Sequence, residues 1–264
     1  MMNRALACCL LLLTALGCVH RVPIDRSYRS KSHNSRAQFL ILHDTEGTWE
    51  GSLKILTEGP VSSHYLLRDN PVVIYQLVDE DRRAYHAGKS SWKGQTELNA
   101  ASIGIEVQNR GYVKGPNGTE YFDYPKEQID ALIALVKEIV ARHEIRPDRI
   151  LGHSDIAPLR KVDPGPKFPW KRLAEAGLIL WPDAAAVATK RAHYETALPD
   201  IPWFQAKLQQ HGFALPQTGQ LDETTQIILA AFQMKYRPER FDGQADAETA
   251  ALLEVLTTPP VKAP

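Results

Sequence analysis

The sequence predicts an α/β layer structure followed by a small three-helix unit, and three observations carry that prediction. Short, continuously apolar runs at Phe39-Leu40-Ile41-Leu42 and at 72–78 read as strands covered on both faces. From 126 to 144, apolar residues fall three and four apart at Ile129, Leu132, Ile133, Val136, Ile139 and Val140, which is the stripe of an amphipathic helix. The tail then repeats itself. Gly219-x-x-Asp222-x-x-Thr225 recurs as Gly243-x-x-Asp246-x-x-Thr249, each aspartate placed to cap an apolar helix.

Of 264 residues, 44% are apolar and 23% charged, with 31 Lys and Arg against 31 Asp and Glu, a balance that excludes a disordered acidic chain and a polybasic nucleic-acid binder. Residues 1–17 hold one basic group, Arg4, no acid, and an apolar run from Ala5 to Leu16. They read as a secretory leader, too short to span a bilayer as a helix. Residues 18–36 are polar, with Arg21, Arg26, Arg29 and Arg36 and no apolar period, and read as a tether. Folding is expected to begin near Ala37. Ile103, Ile105 and Val107 alternate with Gly104, Glu106 and Gln108, a strand with one apolar face and a carboxylate on the other. Pro125 starts the amphipathic helix, 149–152 is a further short strand, and Pro164, Pro166 and Pro169 stiffen the loop after it. Strands interleaved with helices make 37–182 an α/β layer. Alanine and mixed charge then mark 183–198 as a linker, in part helical. In 199–258, Phe204 and Leu208 lie on a helix closed by Gly212, and Ile228, Ala231, Phe232 and Tyr236 give the next helix its inward stripe.

The three cysteines, Cys8, Cys9 and Cys18, all lie at or before the end of the leader, so the body of the chain offers no thiol. Chemistry must use His, Asp, Glu, Lys, Ser or Tyr. Leu16-Gly17-Cys18 resembles a bacterial lipobox, with Ala15 where leucine is usual. That resemblance implies cleavage before Cys18 and a lipid on it; ordinary secretion stays open.

Three polar groups stand where burial is costly. His43 ends the first apolar strand, Glu106 lies inside a strand, and His153 closes another. Each histidine alone is an ordinary strand-end residue, but the loop after His153 changes the balance. On the extended run Lys161-Val162-Asp163-Pro164, residues two apart point the same way, so Lys161 and Asp163 face one site. Two imidazoles and a carboxylate suit zinc, with a fourth position free for water. Asp155 competes with Asp163 as the acidic ligand. At two residues from His153 on a turn, it reads better as a brace for the loop.

His43 after its strand, Ser102-Ile103-Gly104-Ile105-Glu106, and the run from Gly152-His153-Ser154-Asp155 through Lys161-Val162-Asp163-Pro164-Gly165-Pro166 resemble the zinc-dependent N-acetylmuramoyl-L-alanine amidases of the type 2 family, relatives of the peptidoglycan recognition proteins. Val61-Ser62-Ser63-His64-Tyr65 and Tyr85-His86-Ala87-Gly88 match as well. The resemblance covers 37–182, and 201–256 is similar to a peptidoglycan-binding three-helix module. It implies a mixed central sheet flanked by helices, with His43, His153 and Asp163 as zinc ligands, Glu106 as the catalytic carboxylate and Lys161 as a cation beside the metal. It also puts His64 and His86 along the substrate groove, each with a structural reading beside it. Trp92 either stacks on sugar or packs the core, and Trp170 packs the core.

The implied reaction cleaves the amide between N-acetylmuramic acid, intact or anhydro, and the L-alanine of the stem peptide. A wall-binding or sensing protein on the same scaffold is the rival reading, and a zinc endopeptidase is a third. With the leader, the implied setting is an outer-membrane lipoprotein facing the periplasm, monomeric, acting on peptidoglycan or muropeptides. Deleting the tail is expected to weaken wall binding and to spare hydrolysis of a small muropeptide.

Overall fold

Strand β1, Phe39–Asp44, lies between two parallel neighbours, β6 (Ser102–Val107) and β9 (Ile150–Gly152). Hydrogen-bonded on both sides and covered on both faces, it has no wet surface, which is why its sequence is apolar without alternation. The structure, a computed structural model, describes residues 22–116 and 118–258. The leader and Cys18 lie outside the described residues. The chain divides into two compact units, Met1–His33 and Asn34–Pro264. In the first, residues 22–33 are exposed and have no helix or strand.

The central sheet of the second unit runs β3-β2-β6-β1-β9, with β2 at Tyr65–Arg68 and β3 at Val73–Gln76. Every pairing is parallel except β2 with β3, so the sheet is mixed. The expectation that 72–78 is covered on both faces is corrected here. β3 is the edge strand, paired only with β2, and Val72 and Ile74 are exposed. The buried strand beside it is β2, whose Leu66 and Leu67 are too short a run to stand out in sequence. Helix α1, Trp49–Glu58, capped by the Thr48 side chain on Gly51 N, also went unread.

Strand alternation sorts the core into two layers. Leu40, Leu42, Ile103 and Ile105 pack with Ile129, Leu132, Val136 and Ile139 of α2, Lys126–His143. Phe39, Ile41 and Leu151 point the other way, into a cluster that also holds the C-terminal helices. These are α5 (Ala184–Tyr194), α6 (Ile201–His211), α7 (Glu223–Tyr236) and α8 (Ala247–Thr257). Asp200, Asp222 and Asp246 cap the last three, accepting from the backbone N–H of Trp203, Thr225 and Thr249. The segment read as a linker is helix α5, capped by Asp183. It packs along α8 through a buried Tyr194 and the Lys190–Glu254 pair at 2.9 Å.

The C-terminal helices share their apolar cluster with the sheet. Trp92, in the two-residue strand β4 (Ser91–Trp92) that pairs with β5 (Gln95–Thr96), meets Phe213 at 5.2 Å and His211 at 5.5 Å between ring centres. Gly212 closes α6 against the Trp92 ring, where a Cβ would come within 2.4 Å of the indole and leave no room for a side chain. Trp181 packs on Tyr236 at 5.3 Å.

Candidate active site

Parallel pairing places the chemistry. In the ladder between β1 and β6, His43 is the register partner of Glu106. Ile41 points away from α2, so His43 two residues on does too; Ile105 and Val107 point toward α2, so Glu106 does not. His153 follows β9 directly as the first residue of the short helix α3, His153–Ile156. Three side chains thus gather at the carboxyl ends of three parallel strands, the edge where open α/β sheets form their sites. The loop after α3 brings Asp163 to them.

His43 Nδ1 lies 3.0 Å from His153 Nδ1, and Asp163 Oδ2 lies 3.1 Å from each. All three side chains are buried. Hydrogen-bond direction fixes what these atoms present. The Ser102 hydroxyl donates to Leu98 O at 2.6 Å, so its oxygen accepts from His86 Nε2 at 3.2 Å. His86 Nδ1 is then an acceptor, and takes the proton of His43 Nε2 at 3.0 Å. That leaves His43 Nδ1 with a lone pair. His153 Nε2 stands 3.2 Å from Ala87 O, which only accepts, and 3.2 Å from Arg160 Nη2, which only donates; the tautomer with its proton toward Ala87 O leaves a lone pair on His153 Nδ1 as well. Two lone pairs and a carboxylate oxygen converging without a proton repel one another. A cation relieves that repulsion, and the donor set is one that zinc accepts.

The electrostatics agree. Burial, then the charge of His153, holds the His43 pKa down to about 4. Burial would raise Asp163, but the His153 and His43 imidazoles beside it outweigh burial and keep the carboxyl below its usual range. Glu106 is raised well above its ordinary value by burial, then by Asp163 and Asp44. Asp44 is pushed up to about 7 by burial and by Asp163.

A cavity of about 110 Å3 is lined by His43, Glu106, His153, Lys161 and Asp163 together. The structure thus gathers the five residues singled out for metal and catalysis at one place, with Lys161 exposed at its mouth. Asp155 is not among them. Its Oδ2 accepts from Gly152 N at 2.8 Å and from Lys235 Nζ at 2.6 Å, so it braces the turn.

The residues assigned to the substrate groove need correction. His64 is fully buried, accepting from Gly104 N at 3.0 Å through Nδ1, with Arg36 and the Arg82 carbonyl at its other nitrogen, so it meets no cavity. Trp92 is core, covered by Phe213 and His211. His86 does border the cavity, yet its ring is spent on His43 and Ser102. Gly104 is what admits it, since a Cβ there would come within 2.5 Å of the His86 ring. Sequence reading missed Asp44 and Tyr124. The Tyr124 hydroxyl donates to Pro164 O at 2.8 Å and reaches Asp44 Oδ2 at 3.2 Å. Asp44 stands beside His43 at the end of an apolar strand, which was the available signal.

The family described as N-acetylmuramoyl-L-alanine amidase matches residues 33–166, and a peptidoglycan binding domain family matches 198–253. The chain belongs to the N-acetylmuramoyl-L-alanine amidase family. It is 41% identical over 241 residues to the amidase AmiD of Escherichia coli, covering 88% of this chain and 87% of that one. The 1,6-anhydro-N-acetylmuramyl-L-alanine amidase AmpD of Enterobacter cloacae is 43% identical over 105 residues, 40% of this chain and half of that one. Among solved structures, AmpDh3 of Pseudomonas aeruginosa superposes with a TM-score of 0.82 at 39% identity, covering 89% of this chain and 98% of that one. AmiD of E. coli, in complex with anhydro-N-acetylmuramic acid-L-Ala-D-gamma-Glu-L-Lys, gives 0.81 at 39% identity over 88% and 93%. The likenesses to AmiD and AmpDh3 extend through the C-terminal helices and share the mixed sheet.

Proposed function

We propose that this amidase hydrolyses the bond between the lactyl carbonyl of N-acetylmuramic acid, in anhydro muropeptides, and the amino group of L-alanine, using zinc at His43, His153 and Asp163. The observation that carries the reading is the meeting of two imidazole nitrogens and a carboxylate oxygen with Glu106 on one face of the sheet. Zinc bound there supplies a Lewis acid that polarises the scissile carbonyl and acidifies water. The side chains do the rest. Glu106, with its raised proton affinity and its place facing the cavity, takes the proton of the attacking water and returns it to the leaving amine. Lys161 offsets the negative charge that develops on the carbonyl oxygen. His86, by holding His43 Nε2, keeps Nδ1 turned toward the triad. The complex of AmiD with an anhydromuramyl peptide supports the substrate class, and the peptidoglycan-binding match at 198–253 supports action on wall material.

We further propose that residues 1–17 are a removed leader and that Cys18 carries a lipid anchor on the periplasmic side of the outer membrane, with residues 37–182 catalytic and 199–258 wall-binding. The support is the charge and apolar pattern of the leader and its Leu16-Gly17-Cys18 ending. Among the described residues no helix is long and apolar enough to cross a membrane.

Mass spectrometry of a digested anhydro muropeptide tests the bond assignment. The expected products are free anhydro-N-acetylmuramic acid and a peptide beginning with L-alanine. Cleavage inside the stem peptide would make it an endopeptidase; tight binding without cleavage would make it a sensor.

A further inference from the structure

Asp155 and Lys235 form an ion pair at 2.6 Å with side chains only 2% and 6% exposed, and 80 residues separate them in sequence. Burying an ammonium is costly unless it is paired. Here the ammonium of Lys235, near the end of α7, meets Asp155 and lies 4.2 Å from the centre of the Trp170 ring, a cation–π distance. Both partners bear on the metal centre. The same Asp155 oxygen that takes Lys235 also accepts from Gly152 N at 2.8 Å, closing the turn from which His153 emerges. Trp170, which opens helix α4 (Trp170–Glu175), also packs against Gly152, where a Cβ would stand 3.1 Å from the ring and 2.9 Å from Pro164, the neighbour of Asp163. Ser154 N then donates to Asp163 O at 2.9 Å, joining the turn of one ligand to the loop of the other.

We propose that Lys235 is a positioning residue for the metal centre: through Asp155 it holds the turn that presents His153, so the C-terminal helices help to set how tightly the triad grips its metal. The inference rests on the zinc reading of that triad. A pair kept for stability alone can be replaced by neutral groups of similar volume with no effect on a neighbouring site. A positioning pair cannot.

The test uses the full chain carrying Lys235→Met, Asp155→Asn, or both. Lys235→Met alone leaves a buried carboxylate unpaired and is prone to misfold. The double variant leaves neither charge, keeps an acceptor for Gly152 N, and is the decisive one. Zinc affinity is read by competition with a chromogenic chelator, and geometry by the visible spectrum of the cobalt(II) form. The double variant is expected to unfold cooperatively, to bind zinc about 10- to 100-fold more weakly, as disturbed outer-shell partners do, and to show shifted cobalt bands. Lys235→Arg is expected to recover part of the loss. Zinc affinity within twofold of the parent, with unchanged cobalt bands, in the folded double variant overturns the proposal. A parent chain that takes up no zinc overturns the reading of the triad itself, and the inference with it.

Discussion

Glu106→Gln separates metal binding from proton transfer. The substitution keeps volume and removes a carboxylate that faces the same cavity as the triad without belonging to it. A positioned base contributes about 10² to 10⁴ in rate, which at about 1.4 kcal/mol per tenfold is roughly 2.7 to 5.4 kcal/mol of barrier. Asp44 is the nearest substitute. It lines the same cavity, but its Oδ2 is engaged by the Tyr124 hydroxyl at 3.2 Å, so it is not expected to recover the loss. Turnover on an anhydro muropeptide, followed by mass spectrometry of released peptide, is therefore expected to fall by about 10² or more, with zinc content unchanged. The metal-free variant should also be more stable at neutral pH, because burial and the charges of Asp163 and Asp44 disfavour the Glu106 carboxylate. Turnover within threefold of the parent at full zinc content would refute the role of Glu106.

Gly104→Ala brings a Cβ within 2.5 Å of the His86 ring. It is expected to displace that ring from His43 and weaken zinc binding by about tenfold or more, measured by chelator competition; unaltered affinity would deny His86 its orienting part. His211, held down to about 3 by burial, then by Lys235 and Lys93, makes the fold acid-sensitive. The unfolded chain protonates this group near pH 6.5 and the folded chain does not, so stability falls as pH drops through the window from 6.5 to 3. Between pH 6.5 and 5 the loss is about 2 kcal/mol, and urea midpoints for His211→Gln should show a correspondingly flatter pH dependence. An identical dependence in both proteins would contradict it. Truncation at residue 198 strips Phe213 and His211 from Trp92 and Lys235 from Asp155. In place of the sparing expected from sequence, the shared core predicts a lower melting temperature and reduced zinc uptake, and a truncated chain matching the parent in both would count against that coupling.

What the sequence made legible was what is local. β1, α2 and the capped helices α6, α7 and α8 announce themselves through apolar period and a cap residue within three positions. His43, Glu106 and His153 stood out because each interrupts an apolar strand, and period-two alternation already put Glu106 on the face opposite Ile105. The rest depends on distant partners. Asp155 is taken up by Lys235, 80 residues away in the chain, while Asp163 lies against the two histidines. The choice between groove and core for His64 and Trp92 stayed open in the sequence because their covers, Arg36 and Phe213, lie far off in the chain. The edge position of β3 follows from sheet order, which no run of apolar residues encodes, and α5 looked like a linker because Tyr194 is its one buried residue and most of its alanines are exposed.

The central claim is a zinc ion gripped by His43, His153 and Asp163 and required for hydrolysis. Metal content by plasma mass spectrometry, taken alongside muropeptide cleavage before and after chelation and dialysis, tests it most directly. The account predicts about one zinc per chain, cleavage abolished on its removal and restored by adding it back, and neither metal nor cleavage in Asp163→Ala. Full cleavage by protein stripped of zinc would contradict it.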